Sequence, residues 1–136
     1  MKANELMIGD WVWNTHNQQA EQVQEIREQM VMLAYNDLYE YDEIEPIRLT
    51  DNILIASGFS VGKYKLPVSG NEIDKYSYVD LTNHIKECVL LPLTKNYIWS
   101  FGSIDGMEVP IIEYVHQLQH ALRLCGIDKE IIIKED

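Results

Sequence analysis

The chain is poor in the residues that staple, anchor or stiffen a protein: 136 residues hold two cysteines and four prolines, while basic residues are outnumbered two to one. Each shortage excludes something. Cys88 and Cys125 lie far apart with no CxxC spacing, so neither a disulfide framework nor a thiolate metal site is expected, and a reducing cytoplasm suits the chain best. No apolar stretch approaches the ~18 residues of a membrane span, and Met1 to Asp10 lack the apolar centre of a secretion signal. Eleven basic against 22 acidic residues give a net charge of -11. That sign repels phosphate backbones and anionic lipid heads, so direct nucleic-acid binding and membrane attachment are not expected.

What is present is enough for a core. With 46% hydrophobic and 10% aromatic residues, a chain of this length can fold as one domain without a metal or a disulfide, 1–48 and 60–136 being candidate subdomains. The expected fold is α+β. Leu6-Met7-Ile8-Gly9-Asp10-Trp11-Val12-Trp13 reads as a first strand entered through a tight turn. From Asn17 to Tyr35 the residues divide between a helix and a pair of strands over Gln22–Ile26 and Met30–Tyr35, and periodicity alone does not separate the two. Thr50 as N-cap, Asp51 at the positive end and Gly58 at the left-handed exit predict a short helix. Pro67 to Asp74 reads as a mobile loop, and Ile85–Leu91 with Asn96–Phe101 as a hairpin, with a further turn at Asp105-Gly106. A helix from about Ile112 to Cys125, closed by Gly126, and a last strand over Glu130–Lys134 complete the expectation.

Three blocks in order along the chain, Asn4-Glu5-Leu6-Met7-Ile8-Gly9-Asp10-Trp11-Val12, Ile44-Glu45-Pro46-Ile47-Arg48-Leu49-Thr50 with Gly58-Phe59, and Glu113-Tyr114-Val115-His116-Gln117-Leu118-Gln119, resemble a family of uncharacterised small proteins of gut anaerobes and their phages or mobile elements. The resemblance implies a small antiparallel barrel-like sheet at the N-terminus, with Ile8–Asn14, Gln22–Ile26 and Met30–Tyr35 as strands. The Thr50 helix follows, then antiparallel strands packed with the C-terminal helix. It tips the ambiguous segment toward strand and carries no catalytic residues with it. At His120 this chain departs from the family habit, which is Asn.

Candidate chemistry is sparse. His116 and His120, four apart on the last predicted helix, point the same way, and Glu113 could add a third metal ligand. The helical wheel puts Val115, Leu118, Leu122 and Cys125 on the buried stripe and leaves Glu113, His116, Gln117, His120 and Arg123 on a wet face. A zinc-peptidase motif would need Glu at Gln117. Trp11 and Trp13 share one strand face with Gly9, as Tyr97 and Trp99 share another, and both pairs read first as core packing. No serine sits in a nucleophile elbow, Cys88 reads as buried and inert, no phosphate-binding loop is present, and no cofactor is implied.

The best interface candidate interleaves aromatic rings with carboxylates: Tyr35, Asp37, Tyr39, Glu40, Tyr41, Asp42 and Glu43. Two function classes follow. One is a non-enzymatic interaction module for another protein, which could include a decoy for a DNA-handling partner, with self-association as a further option. The other is a metal-dependent hydrolase using Glu113, His116 and His120.

Overall fold

A computed structural model describes residues 1–82, 85–104 and 106–133. The fold is α+β, with two α-helices and three antiparallel sheets, and the chain divides into two compact units. Among the described residues no helix is long and apolar enough to cross a membrane.

The first unit comprises Met1–Arg48 and Tyr114–His120. Its strands are β1 (Trp11–Asn14), β2 (Gln19–Gln22), β3 (Glu25–Ile26), β4 (Met30–Met32), β5 (Leu38–Glu40) and β6 (Ile44–Glu45). They form two three-stranded sheets, β2-β1-β6 and β3-β4-β5, and no closed barrel. The segment that composition alone left open between helix and strand is strand, yet the expected strand over Gln22–Ile26 is split. Val23 still exchanges backbone bonds with the first sheet, its N–H donating to Asp10 O at 2.9 Å, whereas the N–H of Gln24 donates to Met32 O of the second at 2.8 Å. One step of chain therefore changes sheets, and Val23 is buried at the crossing. Leu6, Val12, Val23, Val31, Leu33, Tyr39 and Ile44 make one apolar cluster. The expected strand over Met30–Tyr35 stops at Met32, because Tyr35 and Asn36 adopt left-handed φ values of 66° and 61° that no ladder accepts.

The second unit comprises Leu49–Glu113 and Ala121–Asp136. Its first helix, α1 (Asp51–Ala56), is punctuated as expected: Thr50 Oγ1 accepts from Ile53 N, and Gly58 (φ 93°) lets Phe59 N donate back to Leu54 O at 3.0 Å. A five-stranded sheet follows in the order β11-β10-β9-β8-β7, built from β7 (Ser60–Lys65), β8 (Glu72–Asp80), β9 (Lys86–Pro92), β10 (Trp99–Ser103) and β11 (Glu108–Ile112).

The expected hairpin is present as β9–β10, but its second strand begins at Trp99, with Asn96 and Tyr97 in the turn, where Tyr97 takes a left-handed φ of 58°. Three expectations need correction. The loop ends at Asn71 and not Asp74, since Glu72 already pairs with Lys65. The last helix, α2, is shorter, Val115–Leu124, because Pro110 and Ile112 lie in edge strand β11, where a residue without an N–H is tolerated. Residues 130–133 join no strand; instead Ser57 Oγ accepts from Ile132 N at 2.8 Å and Ile131 is buried. Lys134 and Asp105, parts of the expected last strand and turn, lie outside the described residues.

Candidate functional site

The aromatic and acidic segment is sorted by its own backbone. In β5, residues alternate, so Tyr39 turns inward, 8% exposed, with its hydroxyl accepting from Asn17 Nδ2 at 2.9 Å. Leu38 and Glu40 on either side of it face outward. Tyr41 is half-buried and its hydroxyl donates to Arg27 O; burial pushes that hydroxyl above its usual pKa. Tyr35 alone of the three is displayed, 81% exposed at the left-handed turn between β4 and β5.

Of the segment's carboxylates, Asp37, Glu40 and Asp42 are exposed and Glu43 is half-buried; Asp37 lies in the turn with Tyr35, while Glu40 pairs with Met30 at the other end of the hairpin. Glu40, Asp42 and Glu43 are the one group of three His, Cys, Asp or Glu side chains among the described residues whose ligand atoms lie within 4.8 Å of one another. Part of that convergence is structural. Glu43 Oε1 accepts from Glu40 N at 3.1 Å, closing a capping box over the turn Tyr41–Glu43.

The histidines of α2 stand differently from the wheel's expectation. His116 is 5% exposed and Gln119 is buried, so the helix hides polar side chains as well as Val115 and Leu118. The partners explain it. Gln119 Oε1 accepts from Trp11 N at 2.9 Å and its Nε2 donates to Gly9 O at 3.0 Å, gripping the backbone on both sides of Asp10. Asp10 itself is fully buried. Its Oδ2 accepts from Met7 N at 2.8 Å and lies 2.6 Å from His120 Nε2, which carries the proton wherever the carboxylate is ionised. His116 stacks on Tyr114 at 6.0 Å and meets the His120 ring edge-on at 5.6 Å, while its Nδ1 is buried without a hydrogen-bond partner among the described residues.

Among the predicted ligands, His116 and His120 adjoin in the first unit, and Glu113 belongs to the second. Asp10 and Gln119 were missed as members of the cluster. The signal was there: Gln119 is three residues from His116 and one from His120, and the Gly9-Asp10 pair was read only as a turn.

Burial pushes the His116 imidazole below its ordinary pKa; the Asp10 carboxylate opposes this and His120 adds to it. With the folded-state value below the unfolded ~6.5, the unfolded chain binds the proton first. Stability unaffected above that value therefore falls as pH drops through ~6.5, and the loss levels off below the folded-state value. Urea titrations of the native protein and His116→Asn between pH 5 and 8 should show this slope in the native protein and its loss in the variant. Equal slopes would remove His116 as its source.

The remaining aromatic and sulfur candidates are structural in placement. Trp11 and Trp13 share a half-buried face opposite buried Val12 and Asn14. Trp99 is buried, with Tyr97 stacked on it at 6.4 Å and 39% exposed in the turn before β10. Cys88 is fully buried, and its thiol is pushed up to about 12, far from a reactive thiolate. Comparison with protein-family models, curated proteins and solved structures found no match.

Proposed function

We propose that this chain is a non-enzymatic protein-interaction module of the cytoplasm that presents Tyr35 and the carboxylates of Asp37, Glu40 and Asp42 to a basic partner protein. The single observation behind this is Tyr35: a bulky side chain held at φ 66°, followed by Asn36 at 61°, and left 81% exposed. A left-handed backbone costs an ordinary residue roughly 1–2 kcal/mol, and burying its ring brings no return here. Strain of that kind concentrates at functional positions, and exposed tyrosine is enriched at recognition surfaces. The net charge of -11 would steer a basic partner toward the turn. The resemblance to small proteins of phages and mobile elements suits such a role.

A metal-dependent hydrolase on Glu113, His116 and His120 has less support. His120 Nε2 already faces the Asp10 carboxylate, and His116 is almost wholly enclosed. The test replaces Tyr35 with a photoreactive phenylalanine and, as a control, does the same at Val68, which is fully exposed. A defined protein adduct should form from position 35 only. It should weaken in Asp37→Asn/Asp42→Asn and when salt is raised to ~0.5 M, where charges are screened beyond roughly 4 Å. If both positions give the same adducts, or salt and neutralisation change nothing, the proposal fails.

A further inference from the structure

We propose that the outer face of the five-stranded sheet is a binding trough for a short, extended apolar peptide with free termini. This rests on the second unit alone and is independent of the Tyr35 turn.

The sheet buries Tyr76, Cys88, Leu90, Trp99 and Phe101, and strand alternation sends their neighbours to the opposite side. There the side chains enclose an open trough of about 710 Å³, within the range of ligand pockets, ~300–1,000 Å³. Val89 and Leu91 supply apolar lining, half-buried where a solvated sheet face would carry polar groups.

Gly102 is the telling residue. It sits mid-strand in β10, which is flanked by partners on both sides, and glycine there costs roughly 0.5–1 kcal/mol relative to alanine. The register irregularity of β10 against β11 falls between Trp99 and Phe101 and does not include it. Its φ is not left-handed, and a Cβ added at that position would meet no atom of the described residues within 4 Å. A strand glycine without a backbone or packing reason marks a place where another molecule comes close to the main chain.

Charge fixes the occupant. At one end Lys75 precedes Tyr76, the partner of Leu90, and among the described residues its ammonium is in no ion pair. Gly62 on the neighbouring strand faces Lys75 and leaves room for its stem. At the other end stands the carboxylate of Glu87, paired with Val79, while Glu108, paired with Gly102, lines the side of the trough level with Val89 and Ser77. Lys75 and Val79 are four residues apart on β8, about 13 Å at ~3.3 Å per residue. An extended chain of about four residues spans that distance, its terminal carboxylate at Lys75, its terminal ammonium at Glu87, and its apolar side chains over Val89 and Leu91. A fatty acid would match Lys75 but place its tail against the Glu87 carboxylate.

The test titrates the isotopically labelled protein with the free tetrapeptide Ala-Leu-Val-Leu and follows backbone amide shifts. Saturable shifts on β8, β9 and β10 are expected. Blocking both peptide termini, Lys75→Met and Glu87→Gln should each weaken binding at least tenfold. Gly102→Val should abolish it with the melting temperature unchanged or raised, valine being the better strand residue. Lys75→Met and Glu87→Gln alter partly exposed side chains and keep the test open if Gly102→Val does not fold. No saturable shift at millimolar peptide, equal binding of the blocked peptide, or tighter binding of decanoate than of the peptide would each overturn the proposal.

Discussion

Trp99→Ala should cost about 3–5 kcal/mol and lower the melting temperature by roughly 10–20 °C, more than any surface substitution in the chain. The indole is 2% exposed, its edge meets the Tyr76 ring at 5.3 Å, and Nε1–H donates to Leu49 O at 2.9 Å within the core. Truncation to alanine removes the largest buried side chain of the second unit and leaves a cavity that close-packed neighbours refill only in part. It also orphans a buried carbonyl. Trp99→Phe separates the two losses, since it keeps a ring but not the donor, and should cost about 1–2 kcal/mol more than the volume change alone. Chemical denaturation of both variants measures this. A loss below ~1 kcal/mol for the alanine variant would show that the sheet packs without the indole.

Asp10→Ala is expected to be the most damaging polar substitution, at about 2–4 kcal/mol. Its carboxylate has no access to water and serves the N–H of Met7 and the ring of His120 together, so removal strands two partners at once. His120→Gln should cost less, because that side chain is 26% exposed and water can reach what it leaves behind. The double variant then decides. If Asp10 and His120 form a coupled pair, the losses should fall short of additivity by about 0.5–3 kcal/mol; strict additivity would mean that Asp10 acts through Met7 alone.

How far the residues announced this structure depended on whether their signals were local. Helix α1 was readable because Thr50, Asp51 and Gly58 each satisfy a backbone group within a turn of themselves. The β7–β8 hairpin was hidden. Lys63, Lys65, Asp74 and Lys75 on its strands lower the apolar signal, and the structure uses Lys63 and Asp74 as a cross-strand pair at 2.6 Å instead of as loop residues. With those strands unread, the trough beside them could not be anticipated either. The wheel of α2 failed for a related reason. It ranks side chains by polarity, whereas His116 and Gln119 are buried through contacts with Tyr114, Gly9 and Trp11, of which two lie over a hundred positions away.

The grip of Gln119 and His120 on Gly9, Asp10 and Trp11 also sets an order of events. The two halves of that contact are 110 residues apart, and a ribosome adding roughly 5–20 residues per second needs on the order of 5–20 s to supply the second half. Throughout that interval the nascent amino-terminal strands hold a carboxylate destined for a dry site but not yet matched by its imidazole. The segment that holds Asp10 therefore reaches its native surroundings only after the His120 segment has been added.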